Sequence, residues 1–185
     1  MSRALDDDEV LAVIHDFGEA TRRAIEAGFD GVELHGAHGF LIQNFLSPLF
    51  NQRTDNWGGT LEARMRFPLE VVREVRRVIA LRARRPFLLG YRISPEEPGE
   101  GALRVGDVLA LVDALVAEGN LDYLHASLYS VLGGKPSDAV DERTTAELFI
   151  ERVAGRLPLM AAGGLRLPQN ARAALQGGLT LAAVG

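Results

Sequence analysis

Short apolar runs and amphipathic helical segments alternate along this chain, and the alternation limits the folds that it can adopt. Apolar runs typical of buried strands occupy residues 31–34, 87–93, 122–126, 158–162 and 181–185. A helical spacing of apolar residues marks segments 7–27, 61–80, 105–118, 143–154 and 168–176. Uninterrupted apolar strands that alternate with helices are typical of a parallel sheet covered by helices. The chain is therefore predicted to have an α/β fold.

Local signals mark two of the helix starts. The acidic run Asp6–Asp8 is placed to cap the first helix. Arg53 and Asp55 are expected to pair across a tight loop, and Thr60 is expected to cap the helix that follows it. The segment that carries these three residues is thus predicted to be architectural.

Composition and charge narrow the class of protein. The 185 residues, 47% of them hydrophobic, suffice for one sizeable core and predict a single domain over residues 1–185. The formal net charge is -5 and the arginines are spread along the chain, which argues against nucleic-acid binding and favours small-molecule partners. Because the chain contains no cysteine, disulfides, thiolate zinc sites and cysteine nucleophiles are excluded. The first residues are acidic and no apolar stretch is long enough to cross a bilayer, so a cytoplasmic location is predicted.

Polar residues and glycines gather where the predicted strands end. Two architectures fit the alternation, an open doubly wound sheet and a closed eightfold barrel. The residues that end or follow the strands are His35 and His38, Arg92, His125 and Ser127, Gly163 and Gly164, and Gly185. In a barrel the carboxyl ends of the strands carry the chemistry, so this placement favours a TIM (β/α)8 barrel. Such barrels have eight strands in about 250 residues, so the five strands here predict a partial barrel.

Five motifs of the chain resemble those of one known family. They are His35–Pro48, Asn51–Arg64, Gly90–Ser94, Asp122–His125 and Met160–Leu165. Together they resemble the Old Yellow Enzyme family of NADH:flavin oxidoreductases. The resemblance implies a barrel that binds FMN, in which the five strands correspond to the fourth to the eighth. It also implies that the chain is the carboxyl-terminal portion of that barrel, without the first three strands and without an arginine that follows Gly185 in relatives.

The run His35-Gly-Ala-His38 at the end of the first strand predicts a functional site. Taken alone, two such imidazoles fit structural histidines as well, and a zinc pair lacks an evident third ligand. The resemblance implies that His35 and His38 are catalytic and donate hydrogen bonds to a substrate oxygen. Such bonds stabilise the negative charge that develops as hydride arrives. No metal is expected.

Phe40 and His125 are the predicted substrate-binding residues. Many relatives have at the position of Phe40 a tyrosine that protonates the substrate, and a phenyl ring has no proton to give. The proton donor is then water, Tyr91 or Tyr129, or the acceptor is one that needs no proton there, such as a quinone. Phe40 itself is expected to pack against the cleft wall. His125 is expected either to face the substrate or to be a buried, hydrogen-bonded histidine, and residues 127–141 form a loop long enough to be a lid.

The predicted cofactor-binding residues are Arg92, Gly163, Gly164 and Gly185. An arginine that faces into an apolar strand needs an anionic or electron-rich partner, and the resemblance implies that this partner is the pyrimidine edge of FMN. Gly163 and Gly164 precede a predicted helix, where backbone amides approach a phosphate closely. Gly185, one strand later, is the expected second half of the phosphate site.

Three hypotheses for the function follow. The first is an FMN-dependent oxidoreductase in which NADH or NADPH reduces the flavin and an activated alkene, a quinone or a related small molecule then accepts the hydride. The second is a catalytically silent barrel fragment that binds FMN only with the missing strands or a partner; its open edges favour self-association into a homo-oligomer. The third is a barrel enzyme without flavin that uses the glycine pair to hold a phosphorylated substrate.

Overall fold

A parallel sheet of five strands organises the chain. The structure, a computed structural model, describes residues 3–184. The strands lie in the sheet in chain order: β1 (Gly31–Gly36), β2 (Leu88–Ile93), β3 (Tyr123–Ser127), β4 (Leu159–Ala162) and β5 (Leu181–Ala183). The helices are α1 (Asp7–Glu26), α2 (Leu41–Leu46), α3 (Leu61–Arg82), α4 (Val105–Glu118), α5 (Thr145–Val153) and α6 (Pro168–Gln176). Consecutive parallel strands joined by helices are the arrangement found in (β/α) barrels.

The predicted order of strands and helices is confirmed, and the ends of the predicted elements fall within two residues of the observed ones. Helix α2 is the exception, because no helix was predicted between the first strand and residue 61. Four of its six residues are buried, and the three apolar ones, Ile42, Phe45 and Leu46, lie at helical spacing. Tertiary burial stabilises so short a helix, since an isolated helix of this length is not stable in water.

Hydrogen bonds at the helix starts follow the predicted pattern. Asp6 accepts a hydrogen bond from the backbone N–H of Glu9 at 2.9 Å, and the Glu9 carboxylate accepts one from the Asp6 N–H, which completes a capping box. Thr60 caps α3, and Arg53 donates two hydrogen bonds to Asp55, as expected. Within residues 3–184, none of the helices combines the length and apolar character needed to cross a membrane.

The two faces of the sheet differ in character, because successive strand residues point to opposite sides. On one face the strand side chains are buried with the helices in a hydrophobic cluster; its members include Leu34, Leu89, Tyr91, Ile93, Leu124 and Ala161. Each fully buried aliphatic side chain contributes roughly 1.5–3 kcal/mol. The opposite face, called the inner face below, carries polar groups: Glu33, His35, Arg92, Tyr123, His125 and Ser127.

Candidate active site

The register of the sheet brings residues from three strands together on the inner face. His35 of β1 lies opposite Arg92 of β2, and Arg92 lies opposite His125 of β3. In parallel strands, register partners point to the same side of the sheet. Three residues that are far apart in the sequence therefore form one polar row near the carboxyl ends of the strands.

His38 lies in the loop after β1 and has an uncommon backbone conformation. Its φ angle is 58°, in the left-handed region, which histidine adopts more readily than most side chains. The conformation is held in place by the His38 N–H, which donates to Ser94 Oγ at 3.0 Å, and by the Gly39 N–H, which donates to Gln43 Oε1 at 3.2 Å. The strand end and helix α2 thus fix where the His38 imidazole lies.

The two imidazoles and Phe40 form a cluster of rings. The ring centroids of His35 and His38 are 5.2 Å apart, and those of His35 and Phe40 are 4.9 Å apart, both in edge-on arrangements. Burial lowers the pKa of His35, and the neighbouring charges of His38 and Arg92 lower it further. Burial and the Arg92 guanidinium likewise lower the pKa of His38. Both rings are therefore neutral at neutral pH and each carries one N–H donor.

Arg92 connects the row to His38 through Ser127. Its Nη2 donates to Ser127 Oγ at 3.0 Å, and Ser127 Oγ lies 2.7 Å from His38 Nε2. The Arg92 Nε atom is buried and has no hydrogen-bond partner among residues 3–184. A buried donor without a partner lowers stability by roughly 1–3 kcal/mol, so this N–H is suited to donate a hydrogen bond to an acceptor atom of a bound molecule.

His125 is paired with a carboxylate. Its Nδ1 lies 3.1 Å from Glu33 Oε2, and only 7% of the residue is exposed. Burial would raise the pKa of Glu33, but the hydrogen bond and the charge of His125, with smaller effects from Tyr123 and Arg92, outweigh burial and lower it. Burial and the Glu33 carboxylate raise the pKa of Tyr123 to about 12. The structure thus buries His125 and pairs it by hydrogen bonding with a less buried carboxylate, which matches the buried, hydrogen-bonded alternative for this residue.

A cavity opens beside His38 and Ser127. Its volume is about 580 Å³, within the roughly 300–1,000 Å³ typical of small-molecule sites. The loops after β2 and β3 form its walls, and Tyr129 lines it. The Glu96 carboxylate accepts hydrogen bonds from the Ser137 N–H at 3.0 Å and from Ser137 Oγ at 2.5 Å, which joins the two loops. The predicted lid loop is therefore attached to the opposite wall of the cavity.

The two tyrosines suggested as proton donors lie in different places. Tyr91 points away from the inner face and is 1% exposed; its hydroxyl lies only 2.4 Å from where a Cβ on Gly36 would be. Burial also raises the pKa of Tyr91. The idea that Tyr91 protonates a substrate is therefore wrong, because its strand position directs it to the helix-covered face. Tyr129 is 99% exposed and faces the cavity.

Packing explains why a glycine is needed at position 163, the first of the two predicted phosphate glycines. Gly163 has a φ of 138°, and a Cβ there would lie 2.1 Å from the backbone oxygen of Leu128. The Val131 N–H donates to the Gly163 oxygen at 3.0 Å, so the two loops lie backbone against backbone. Gly164 has a φ of 69° and more space. Both precede α6, and Gly185 lies outside the described residues.

Sequence analysis missed three acidic or hydroxyl residues that support the site. Glu33 and Ser94 each lie two positions from a predicted site residue, which is the strand spacing that places side chains on the same face, so this signal was available. The buried Glu97 accepts hydrogen bonds from Gln43 Nε2 at 2.7 Å and Ser47 Oγ at 2.6 Å. No local pattern indicates that contact, because it joins residues about fifty positions apart.

The chain matches known proteins along its whole length. The model of the NADH:flavin oxidoreductase / NADH oxidase family matches residues 1–185. The probable NADH-dependent flavin oxidoreductase YqiG of Bacillus subtilis is 49% identical over 185 residues, which are 100% of this chain and 50% of that protein. The NADH:fumarate oxidoreductase of Klebsiella pneumoniae is 41% identical over 188 residues, 100% of this chain and 20% of that protein.

A solved structure supports the same relationship. Morphinone reductase in complex with tetrahydroNAD has a TM-score of 0.73 and 31% sequence identity to the chain, over 98% of this chain and 46% of that one. The chain spans about half the length of YqiG and of morphinone reductase. The predicted fold class, a partial TIM barrel, is confirmed, and the expected FMN with NADH or NADPH is the cofactor set of this family. By its motifs, its fold and these matches, the chain belongs to the NADH:flavin oxidoreductase / NADH oxidase family, the Old Yellow Enzyme type of flavoprotein.

Proposed function

We propose that this chain provides the acceptor-binding half of an FMN-dependent NAD(P)H oxidoreductase. The observation that carries the proposal is the pair of neutral imidazoles, His35 and His38, beside the part-buried guanidinium of Arg92. Two N–H donors near a fixed positive charge suit a substrate oxygen that becomes negative during the reaction.

The residues present fit a flavin. The unpaired Nε of Arg92 suits an acceptor-rich edge such as the N1 and O2 atoms of a flavin pyrimidine ring. Gly164 has a left-handed backbone conformation and leaves open the space that a side chain would fill. It lies shortly before helix α6, and backbone amides at the start of a helix suit a phosphate. When bound, FMN would supply the hydride chemistry that the side chains of this chain lack.

The chain's own residues would then bind and orient the acceptor. His35 and His38 would hold the carbonyl, nitro or quinone oxygen, and Phe40, 59% exposed beside the His35 ring, would supply an apolar surface for its carbon skeleton. Phe40 has no proton to donate. Acceptors that take up a proton on carbon, such as activated alkenes, would depend on water or on Tyr129 at the cavity, whereas quinones would not.

One observation favours a second candidate, a catalytically silent portion of a barrel. In the described sheet, β1 and β5 each pair with one neighbouring strand, so the sheet does not close and each edge offers unpaired backbone groups. On this alternative the site binds FMN only when further strands, from a partner or a second copy, cover the inner face.

The experiment is the visible absorption spectrum of the purified chain after incubation with FMN and gel filtration. A retained flavin band that bleaches anaerobically with NADH is the result expected of the oxidoreductase. Arg92→Met should lose most of the retained flavin, and Arg172→Met, at an exposed position on α6, should keep it. A colourless, self-associating chain would instead favour the silent portion. Equal retention by the two variants would show that Arg92 does not contact the flavin.

A further inference from the structure

Ser127 occupies the point where three structural elements meet. Its Oγ lies 3.0 Å from Arg92 Nη2 on β2 and 2.7 Å from Nε2 of His38 in the loop after β1. Ser127 itself ends β3. One hydroxyl therefore connects the part-buried cation of the row to one of the two imidazoles.

The chemistry of the partners fixes the direction of the Arg92 bond and favours one direction for the His38 bond. A guanidinium only donates, so Ser127 Oγ accepts from Arg92. His38 Nε2 is the acceptor within hydrogen-bond distance of the Ser127 hydroxyl among residues 3–184, so the Ser127 hydrogen is assigned to it. The 2.7 Å separation is also the length usual for bonds donated by a hydroxyl, whereas N–H donors favour about 2.9–3.0 Å.

We infer that Ser127 is a positioning residue that fixes the tautomer of His38, with Nε2 unprotonated and the ring proton on Nδ1. Arg92 favours this assignment, because its bond takes up one of the two acceptor lone pairs of the hydroxyl oxygen and leaves the Ser127 hydrogen free to point at His38. Ser94 accepts a hydrogen bond from the backbone N–H of His38 and has no recorded bond to the imidazole, so it does not select the tautomer. Nδ1 is then the only N–H that His38 can offer to a bound acceptor.

His35 has the opposite tautomer. The Ala37 N–H donates to His35 Nδ1 at 3.3 Å, which leaves the ring proton on Nε2. The two imidazoles thus present different edges, Nε2–H from His35 and Nδ1–H from His38. The consequence for catalysis rests on the proposed function: a single substrate oxygen would receive both donors, and it would lose one if His38 changed tautomer.

The test measures the tautomers directly, without flavin or turnover. The chain has four histidines, so long-range ¹H–¹⁵N spectra of the ¹⁵N-labelled protein at pH 7.5 resolve each ring, and His38→Gln assigns the signals of His38. The expected result is a protonated Nδ1 and an unprotonated Nε2 for His38, with the reverse for His35. A His38 ring with its proton on Nε2 would overturn the inference.

Three variants separate positioning from packing. Ser127→Ala removes the donor to Nε2, so the two His38 nitrogens should exchange their shifts or average them, and Ser127→Thr should restore the original pattern. Ser94→Ala removes a hydroxyl that contacts only the backbone of His38, so the tautomer should not change. An unchanged tautomer in Ser127→Ala would refute the role of Ser127. If Ser127→Ala does not fold, the spectrum of the unmodified chain decides alone. Failure to retain FMN would refute the proposed function and leave the tautomer result standing.

Discussion

Replacement of Gly163 tests how tightly the loops around the site pack. In Gly163→Ala the new Cβ would lie 2.1 Å from the oxygen and 2.8 Å from the carbonyl carbon of Leu128, and 3.3 Å from the carbonyl carbon of Tyr129. All three atoms belong to the backbone, so no rotamer change can relieve the contact. The φ of 138° adds a second cost, because residues other than glycine rarely adopt this backbone angle.

The magnitude follows from these two effects. A residue held in a sparsely populated backbone region costs about 2 kcal/mol, and an overpacked contact that must displace backbone costs about 2 kcal/mol more. The free energy of unfolding of Gly163→Ala should therefore be about 4 kcal/mol lower than that of the unmodified chain. For a chain of this size each kcal/mol changes Tm by about 2–4 °C, so Tm should fall by about 8–16 °C.

The assay is urea unfolding and thermal melting followed by far-ultraviolet circular dichroism, in the absence of FMN. The matched control is Gly164→Ala, where the nearest atom to a new Cβ is Ser130 Oγ at 3.8 Å. Its φ of 69° leaves only the cost of a left-handed alanine, about 1–2 kcal/mol. If Gly163→Ala lost less than about 1 kcal/mol, or no more than Gly164→Ala, the packing explanation of Gly163 would be refuted.

Three further predictions concern charge and chemistry at the site. The folded-state pKa of Glu33 lies below its usual 4.5, so its carboxylate stabilises the chain above that pH and the contribution is lost as the pH falls through the folded pKa. Glu33→Gln should therefore lower Tm at pH 6, and the effect should shrink steadily as the pH is lowered below 4.5. An effect that does not change with pH would contradict the pairing with His125. In FMN-loaded protein, Phe40→Tyr should raise the steady-state rate with an activated alkene about 10²-fold, as expected for an added general acid. The rate of quinone reduction should not change. An equal effect on both acceptors would contradict the explanation that Phe40 limits alkene reduction because it cannot donate a proton. Glu97→Gln should lower the free energy of unfolding, measured in urea, by about 2–3 kcal/mol, because it replaces a buried carboxylate oxygen that accepts a hydrogen bond from Gln43 or Ser47. The control is Glu100→Gln at an exposed position, which should change the free energy of unfolding by under about 0.5 kcal/mol.

The fold was predictable from sequence because its signals are local. Apolar strands, amphipathic helices and caps such as Asp6 and Thr60 depend on residues a few positions apart. Helix α2 escaped prediction because its six residues are too short for a periodic pattern to emerge from a polar, glycine-containing segment. Residues at the carboxyl ends of the strands could be placed near one another, since parallel strands share that edge.

The hydrogen-bond partners at the site could not be predicted in the same way. His38 and Ser127 are 89 positions apart, and Glu33 and His125 are 92 apart. Such pairs depend on the register between strands, which periodicity within one strand does not determine. Sequence therefore indicated which residue types gather at the site, but not that Ser127 would lie between Arg92 and His38.

Gly90 shows how a single position without a side chain builds the polar cluster. Strand β2 lies between β1 and β3, so Glu33 and His125 belong to strands that are not neighbours. Gly90 is the register partner of both Glu33 and Tyr123, and a Cβ there would lie 2.1 Å from the Tyr123 ring. Because Gly90 leaves this space on the inner face, the Tyr123 ring lies over β2 and the Glu33 carboxylate reaches His125 across it. A glycine in a strand usually weakens it, but here Gly90 is the condition for a hydrogen bond between side chains of two strands that are not neighbours.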